Sequence, residues 1–189
     1  MHKILVLAGR GGNGGGGICA ARHLANHGIT VLLCLAELQN LSEAAVMQRK
    51  IFQSTAGKEV TFEELDGAEP DLILDALIGY GLKSAPRSPV AKLIAWANHR
   101  NVPILSLDVP SGIDATTGHA PGEFIHPSWT MTLALPKTGL LPQNAGRLIL
   151  ADIGIPLLAF RRLGLDYASP YGKEFHVGLK CEWSSTSGG

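Results

Sequence analysis

Residues 3–28 read KILVLAGRGGNGGGGICAARHLANHG, and this stretch decides the fold. The run Lys3–Ala8 is short and continuously apolar, which is typical of a parallel strand buried on both faces. Seven glycines occupy the nine positions 9–17, and because an ordered strand precedes them we expect close approach of a ligand rather than disorder. Apolar residues then recur at helical spacing across 18–28, and the apolar run Thr30–Leu35 completes a predicted strand, helix and strand unit.

The same alternation of strands and helices continues along the chain. Helical patterns occur at Leu41–Thr55, opened by Ser42 or Asn40, and at Ser88–Arg100, opened by Pro89. Further strands are predicted at 72–75, Pro103–Leu107, Trp129–Leu135 and Arg147–Asp152.

This alternation predicts an α/β fold with three layers, in which helices cover both faces of a doubly wound, mostly parallel sheet. No linker or charge run divides the chain, so a single domain is expected over residues 3–163. Residues 164–189 are expected to form a C-terminal extension, and its last residues, SSTSGG, are expected to be frayed.

Composition and charge narrow the function classes. The chain has 189 residues, and 16 lysines and arginines balance 16 acidic residues, so no net field attracts nucleic acid or an anionic membrane. No apolar run has the length of a membrane span or a secretory signal. The three cysteines, Cys19, Cys34 and Cys181, lack CxxC spacing and indicate neither a disulfide framework nor a zinc site. We therefore expect a cytoplasmic protein without nucleic-acid or membrane partners.

Several groups that could bind or react follow directly after predicted strands. They are the glycine loop, Asp75 with the segment IGYGL, Asp108 with PSG, and Lys137 in LPKTG. In an open parallel sheet, ligands bind beyond the carboxyl ends of the strands. We therefore expect these groups to converge on one edge of the sheet, although they are far apart in sequence.

The residue types at these positions suit two kinds of ligand. Residues 9–14 fit G-x-G-x-x-G between a strand and a helix, a pattern that presents backbone N–H groups and a helix N-terminus to phosphate. Asn13, Asp75 and Ser111 offer only oxygen ligands, which suit a hard cation rather than zinc.

Other groups allow two interpretations each. A carboxylate at a strand end is costly unless a ligand or donor meets it, so Asp75 and Asp108 either bind a ligand or cap a turn. Lys137 could reach a phosphate or could be a solvated loop lysine. Glu37, just beyond the second strand, could bind a ribose or lie in a solvated loop.

Five segments in order, AGRGGNGGGGICAARHL, LDALIGYGL, LSLDVPSGIDATTG, MTLALPKTGLL and GRLILADIGIP, closely resemble the YjeF N-terminal domain family, the NAD(P)H-hydrate epimerases. The resemblance covers the chain from about Lys3 to Pro156. It implies a Rossmann-like fold and interconversion of the R and S forms of hydrated NADH or NADPH. It also implies functional coupling to an ATP- or ADP-dependent NAD(P)H-hydrate dehydratase that follows this repair step.

The resemblance assigns site residues position by position. It implies a potassium ion on Asn13, Asp75 and Ser111. It implies that Asp108 is the catalytic residue and that the substrate contacts Asp108 and two loops, comprising Gly12, Asn13, Gly14, Gly15 and Gly16, and Gly79, Tyr80, Gly81, Leu82, Lys83, Ser84 and Ala85. We add Lys137 to these substrate-binding candidates because of its position after a strand.

The chemistry implied by the resemblance suits a carboxylate. The hydroxyl of the hydrated cofactor lies on a carbon bonded to the ring nitrogen, so the nitrogen lone pair can expel it. The resulting iminium is flat, and water can add to either face. Our hypothesis is that Asp108 gives a proton to the departing hydroxyl and takes one from the returning water.

The chain departs from the family pattern in the glycine loop. The family reads G-P-G-N-N-G-G-D-G, whereas Arg10, Gly12 and Gly16 stand here for Pro, Asn and Asp, and Tyr80 stands for a common Thr. The family also usually carries about 50 residues of helices before the first strand, which bears on a possible homodimer. The alternative is a non-catalytic nucleotide-binding or protein-interaction module of this fold. An NAD-dependent dehydrogenase is a weaker hypothesis, because no His or Tyr-Lys pair lies near the strand ends.

Overall fold

Eight strands of residues 2–180, which the computed structural model describes, form one sheet flanked by helices. The strands are β1 Lys3–Ala8, β2 Thr30–Leu35, β3 Lys58–Val60, β4 Leu72–Ala76, β5 Ile104–Leu107, β6 Trp129–Leu133, β7 Arg147–Ala151 and β8 His176–Leu179. The helices are α1 Gly12–Asn26, α2 Glu43–Phe52, α3 Val90–Asn98, α4 Pro142–Ala145 and α5 Leu157–Arg162.

The strand order is β3-β2-β1-β4-β5-β6-β7-β8, and every neighbouring pair is parallel except β7 with β8. The predicted α/β fold with a mostly parallel sheet is confirmed. From β1 the chain first builds the sheet outward through β2 and β3, and then continues on the other side from β4. A crevice opens beyond the carboxyl ends of the strands where the direction of winding reverses, so a ligand site is expected beyond β1 and β4.

Both faces of β1 are apolar because helices cover both sides of the sheet. Leu5 and Leu7 belong to a buried cluster with Leu93 and Ile94 of α3. Val6 and Ala8 alternate to the opposite face, where the buried cluster includes residues of α1 and α2 such as Ile18, Ala21, Ala45 and Phe52. The continuous apolar run of β1 therefore follows from burial on two faces, as the sequence predicts.

Helix α1 begins earlier than the glycine pattern predicts. Residues 12–17 form its first turns, whereas the sequence predicts a loop across 9–17. Packing explains why glycine is needed here: a Cβ on Gly14 would lie 1.8 Å from the carbonyl oxygen of Gly9, and one on Gly17 would lie 2.4 Å from Cβ of Ala76. Close packing of the helix against the sheet and the preceding turn thus overrides the poor helix propensity of glycine.

Some elements differ from the sequence-based expectations. The sequence does not predict β3, α4, α5 or β8, which are only three to six residues long. The Ser42 hydroxyl caps α2 by accepting a hydrogen bond from the Ala45 N–H at 3.2 Å, which selects Ser42 over Asn40 as the cap. Within the expected C-terminal extension, β8 pairs with β7 and so belongs to the sheet. The SSTSGG segment and Cys181 lie outside the described residues.

We expect Gly14→Ala to lower the free energy of unfolding by about 2–3 kcal/mol, because the new methyl group overlaps the Gly9 backbone. Gly12→Ala is the matched control, since a Cβ there meets nothing within 4 Å and alanine favours the helix. Urea denaturation of both variants measures the difference. Equal stability of the two variants would contradict the packing explanation.

Candidate functional site

A cavity of about 770 Å³ opens beyond the carboxyl ends of β1, β4 and β5. Its lining includes most of the substrate-contacting residues that the sequence predicts, namely Gly12, Asn13, Gly16, Gly79, Tyr80, Gly81, Leu82, Lys83, Ser84, Ala85 and Asp108. The cavity therefore joins three segments that are distant in the sequence. The volume falls within the range of roughly 300–1,000 Å³ that is usual for small-molecule sites.

The other predicted site residues lie behind this lining. Gly14 and Gly15 are buried in α1, where a Cβ on Gly15 would lie 3.4 Å from the backbone nitrogen of Ala45. Asp75 and Ser111 are fully buried below the cavity. Lys137 is half-buried and contacts Asp108 rather than the cavity.

The first turn of α1 faces the cavity with unused backbone donors. Its N-cap is Gly11, which provides no side-chain hydrogen bond, and no acidic residue lies in the first turn. Gly12 and Gly16 are exposed and line the cavity. Free N–H groups at the start of a 15-residue helix favour an anion such as phosphate.

Asp75 holds the floor of the site together. Its Oδ2 accepts hydrogen bonds from the Ser106 hydroxyl at 2.7 Å and the Ser111 N–H at 2.9 Å. Its Oδ1 accepts from the Ser111 hydroxyl at 2.5 Å and the Leu77 N–H at 3.2 Å. These four donors come from β5 and from the loops after β4 and β5, so one carboxylate links three segments.

Burial dominates the electrostatics of Asp75. Desolvation raises the pKa of its carboxyl above the ordinary value of 3.8, and the hydrogen bonds from Ser111, Ser106 and Leu77 partly oppose this rise. Within residues 2–180, no lysine, arginine or histidine forms a salt bridge with Asp75. The four donors are neutral, so a buried anion here lacks a protein counter-charge.

Ser111 connects Asp75 to the cavity wall. Its hydroxyl oxygen accepts a hydrogen bond from the Ile78 N–H at 2.7 Å while the hydroxyl proton goes to Asp75. Next in the chain, Gly79 lies against Asn13, since a Cβ on Gly79 would be 3.2 Å from Cγ of Asn13. The position of this wall therefore depends on Ser111.

The side-chain amide of Asn13 is held by a hydrogen bond from its NH2 group. Its Nδ2 donates to the carbonyl oxygen of Leu107 at 3.2 Å, and its Oδ1 accepts no hydrogen bond from the described part of the chain. That carbonyl group ends β5, immediately before Asp108. The amide thus fixes the start of α1 against the strand end that carries the predicted catalytic residue.

Asp108 is held in a strained turn beside the cavity. Its φ is +69°, and the Val109 N–H donates to the Leu107 carbonyl oxygen at 2.9 Å, which forms the rarer and more strained of the two γ-turn types. The Asp108 N–H donates to the Met131 carbonyl oxygen at 2.8 Å. Left-handed backbone costs a non-glycine residue roughly 1–3 kcal/mol, and such strain concentrates at functional sites.

The mouth of the cavity carries charged residues that the sequence does not assign to the substrate site. Arg10 and Glu37 both line it, and their side chains lie 3.6 Å apart. Arg87 also lines the cavity, although the prediction for this loop ends at Ala85. Tyr80 is 77% exposed and stands at the mouth. Arg87 lies two residues beyond the predicted segment. A basic residue so close to a predicted binding loop is the sequence feature that could have identified it.

Among residues 2–180, no helix has the length and apolar character needed to span a membrane. No group of three or more His, Cys, Asp or Glu side chains within these residues could hold a metal ion. Any cation at Asp75 would therefore need neutral oxygen ligands in addition to this carboxylate.

The sheet order and the cavity at its switch point define a Rossmann-like α/β protein with a cavity beyond the strand ends. The chain belongs to the family of the YjeF-related protein N-terminus, whose sequence model matches residues 1–139. The fold is also similar to that in the crystal structure of yeast ynu0. The TM-score is 0.80 and the sequence identity 22%, and the match covers 94% of this chain and 77% of that one.

Three curated relatives bear on function. The chain is 51% identical over 170 residues to an NAD(P)H-hydrate epimerase of Dehalogenimonas lykanthroporepellens, covering 89% of this chain and 69% of the relative. It is 37% identical to the bifunctional NAD(P)H-hydrate repair enzyme Nnr of Hyperthermus butylicus, covering 82% of this chain and 30% of that one. It is 33% identical to the human enhancer of mRNA-decapping protein 3, covering 93% and 33%. The chain thus spans about a third of the last two proteins.

We expect Ser111→Ala to lower the free energy of unfolding by about 1–3 kcal/mol, because the Ile78 N–H loses its acceptor and Asp75 loses a donor. Ser106→Ala is the control, since it removes one donor to Asp75 but leaves the link to Ile78. Urea denaturation should give a smaller loss for Ser106→Ala, about 1 kcal/mol. A larger loss for this control would contradict the linking role of Ser111.

Measurement of both serine variants across pH adds a second check. Because the pKa of Asp75 is higher in the folded protein than in the unfolded chain, the folded state holds this proton more tightly. The stabilisation is present below about pH 4 and is lost as pH rises through the raised pKa. Both substitutions remove a donor that lowers this pKa, so each should extend the loss to higher pH.

Proposed function

We propose that the chain interconverts the R and S forms of hydrated NADH and NADPH. The observation that carries this proposal is the carboxylate of Asp108 on the lining of a cavity that begins at the glycine-rich turn of α1. The identity of 51% with a protein named NAD(P)H-hydrate epimerase supports it, because the match extends over 89% of this chain.

The cavity can separate the two ends of such a substrate. The free N–H groups at the start of α1 suit its phosphates, while Asp108 lies at the end of the neighbouring β5. Arg10, Lys83 and Arg87 line the same cavity and, although Glu37 offsets the charge of Arg10, leave it a positive balance. The nicotinamide ring would then lie next to Asp108.

Asp108 performs the proton transfers at the ring. Its carboxyl group gives a proton to the hydroxyl as the nitrogen lone pair breaks the carbon–oxygen bond, so water leaves and a flat iminium remains. A water molecule then adds to the opposite face and returns a proton to the Asp108 carboxylate. The net reaction inverts one carbon and changes no oxidation state. A positioned acid–base group of this kind contributes about 10²–10⁴-fold in rate.

A non-catalytic binding module is the weaker alternative. The human enhancer of mRNA-decapping protein 3 matches the chain at 33% identity, which is well below the 51% of the epimerase. The chain also places Asp108 on the lining of a cavity, as a group that reacts with a ligand requires. The epimerase is therefore favoured.

The proposed setting of this activity is a repair sequence. The relative named bifunctional NAD(P)H-hydrate repair enzyme indicates that this family occurs together with a second repair activity. We propose that a dehydratase specific for the S form consumes the product of this chain. A cytoplasmic location and a homodimer belong to the same proposal.

We further propose a potassium ion at Asn13, Asp75 and Ser111, as the resemblance implies. The donor set fits a hard monovalent cation, because it is all oxygen and includes a buried carboxylate that forms no salt bridge within residues 2–180. Oδ1 of Asn13 is not used by any hydrogen bond within residues 2–180 and could serve as a ligand. When bound, the ion would supply a counter-charge to Asp75 and a link between loops.

Replacing Asp108 by asparagine should reduce the rate of epimerisation about 10²–10⁴-fold, because the amide cannot supply the proton. Asparagine tolerates a positive φ, so the fold should persist. The assay supplies R-hydrated NADPH with an S-specific dehydratase and ATP, and follows consumption above the spontaneous rate. Asp166→Asn, at an exposed position outside the cavity, is the control and should keep the full rate. An Asp108→Asn variant as fast as the parent would refute the mechanism.

Exchange of potassium for sodium at constant ionic strength should lower both the rate and the melting temperature. Loss of about 1 kcal/mol of binding energy corresponds to a fall of roughly 2–4 °C for a domain of this size. Calorimetry in the two buffers measures the shift, and Asp75→Asn should abolish the difference between them. A parent protein indifferent to the exchange would remove potassium from the proposal.

A further inference from the structure

Lys137 is paired with Asp108 and does not extend into the cavity. Its Nζ donates to Oδ1 of Asp108, and also to the carbonyl oxygen of Leu133 at 2.8 Å. The Lys137 side chain is 21% exposed and that of Asp108 is 8% exposed. Lys137 does not line the cavity, so its ammonium group is committed to the catalytic carboxylate from behind.

The two oxygens of Asp108 are used differently. Oδ1 accepts from Lys137 and also from the Leu133 N–H at 3.3 Å. Oδ2 accepts no hydrogen bond from residues 2–180, yet it is not among the fully buried unpartnered polar atoms. It is therefore the accessible oxygen, and Asp108 lines the cavity. This asymmetry leaves one oxygen anchored and the other free to meet a substrate.

Lys137 also joins two strained turns. The first is centred on Asp108. The second is centred on Ala134, where φ is +64° and the Leu135 N–H donates to the Leu133 carbonyl oxygen at 2.8 Å. The ammonium group bonds that same carbonyl oxygen and Asp108 Oδ1, so it bridges the turn after β5 and the turn after β6. Strained backbone of this kind persists only where surrounding contacts hold it.

We propose that Lys137 is a positioning residue for the reaction: it clamps Asp108 through Oδ1, so that Oδ2 carries the proton to and from the substrate. Its fixed ammonium group also stabilises the carboxylate that Asp108 becomes when the proton has left. Because the ammonium group is already in place, this stabilisation needs no rearrangement during the reaction. This inference rests on the proposed epimerase function, and it assigns Lys137 a role other than phosphate binding.

The test is a comparison of kcat and KM for R-hydrated NADPH in the dehydratase-linked assay. Lys137→Met removes the charge but keeps the length of the side chain. It should lower kcat about 10- to 100-fold while KM stays within about twofold, because misplacement of a reacting group acts on the chemical step. Lys137→Arg should recover part of kcat, because it restores the charge.

Two other lysines provide matched controls. Lys83 lines the cavity and is exposed, so Lys83→Met should raise KM more than it lowers kcat. Lys92 is exposed on α3 and outside the cavity, so Lys92→Met should change neither constant. If Lys137→Met behaves like either control, the positioning role is refuted.

A double variant covers the case in which Lys137→Met fails to fold because it leaves Asp108 without its partner. Asp108→Asn with Lys137→Met leaves no lone buried charge. If Lys137 acts through Asp108, the double variant should be no slower than Asp108→Asn alone. A further fall in kcat would overturn the proposal. A parent protein that does not accelerate epimerisation would refute the proposed function itself, whatever the variants do.

Discussion

The carboxylate of Asp75 is the interaction on which the site depends. It is fully buried and accepts four hydrogen bonds, from the end of β4, from β5 and from the loop after β5. Because Ser111 passes one of these bonds on to Ile78, the wall of the cavity is fixed relative to the floor. Burial raises the pKa of Asp75, because removing the carboxylate from water costs free energy that the hydrogen bonds offset only in part. A fully satisfied buried network of this kind rigidifies its surroundings, whereas loss of one member leaves unpaired groups.

Two classes of glycine share one run of sequence. Gly9, Gly14 and Gly17 are sterically required, because a Cβ at each would overlap neighbouring atoms at 1.9, 1.8 and 2.4 Å. A Cβ on Gly12 meets nothing within 4 Å, and one on Gly16 meets only a Leu107 methyl group at 3.2 Å. The two positions where the resembled family carries Asn and Asp are thus the ones where a side chain fits. The chain keeps the backbone donors of this turn, and at Gly12 and Gly16 it lacks the polar side chains of the resembled family, for which the fold leaves room.

The sequence predicts the sheet and the convergence of the site better than it predicts individual contacts. Continuous apolar runs identify β1 and β2 to the residue, and the rule for parallel sheets then brings Asp108 to the glycine loop. The early start of α1 escapes prediction because glycine has low helix propensity and only tertiary packing requires it there. The edge strand β8 escapes because its four residues are too few to distinguish a strand pattern from chance. The partner of Lys137 escapes because a flexible side chain after a strand can turn toward the cavity or away from it.

The backbone at Asp108 explains why a strained residue is useful there. In a regular strand, side chains alternate between the faces, so position 108 would follow Ser106 toward the buried face that holds Asp75. The positive φ ends this alternation directly after Leu107 and directs the carboxylate to the rim. The hydrogen bond from its N–H to Met131 and the bond from Leu133 to Oδ1 offset part of the strain, which amounts to roughly 1–3 kcal/mol. Two carboxylates at the carboxyl ends of adjacent parallel strands are thereby separated. Asp75 stays inside and links the loops, and Asp108 reaches the cavity with one free oxygen.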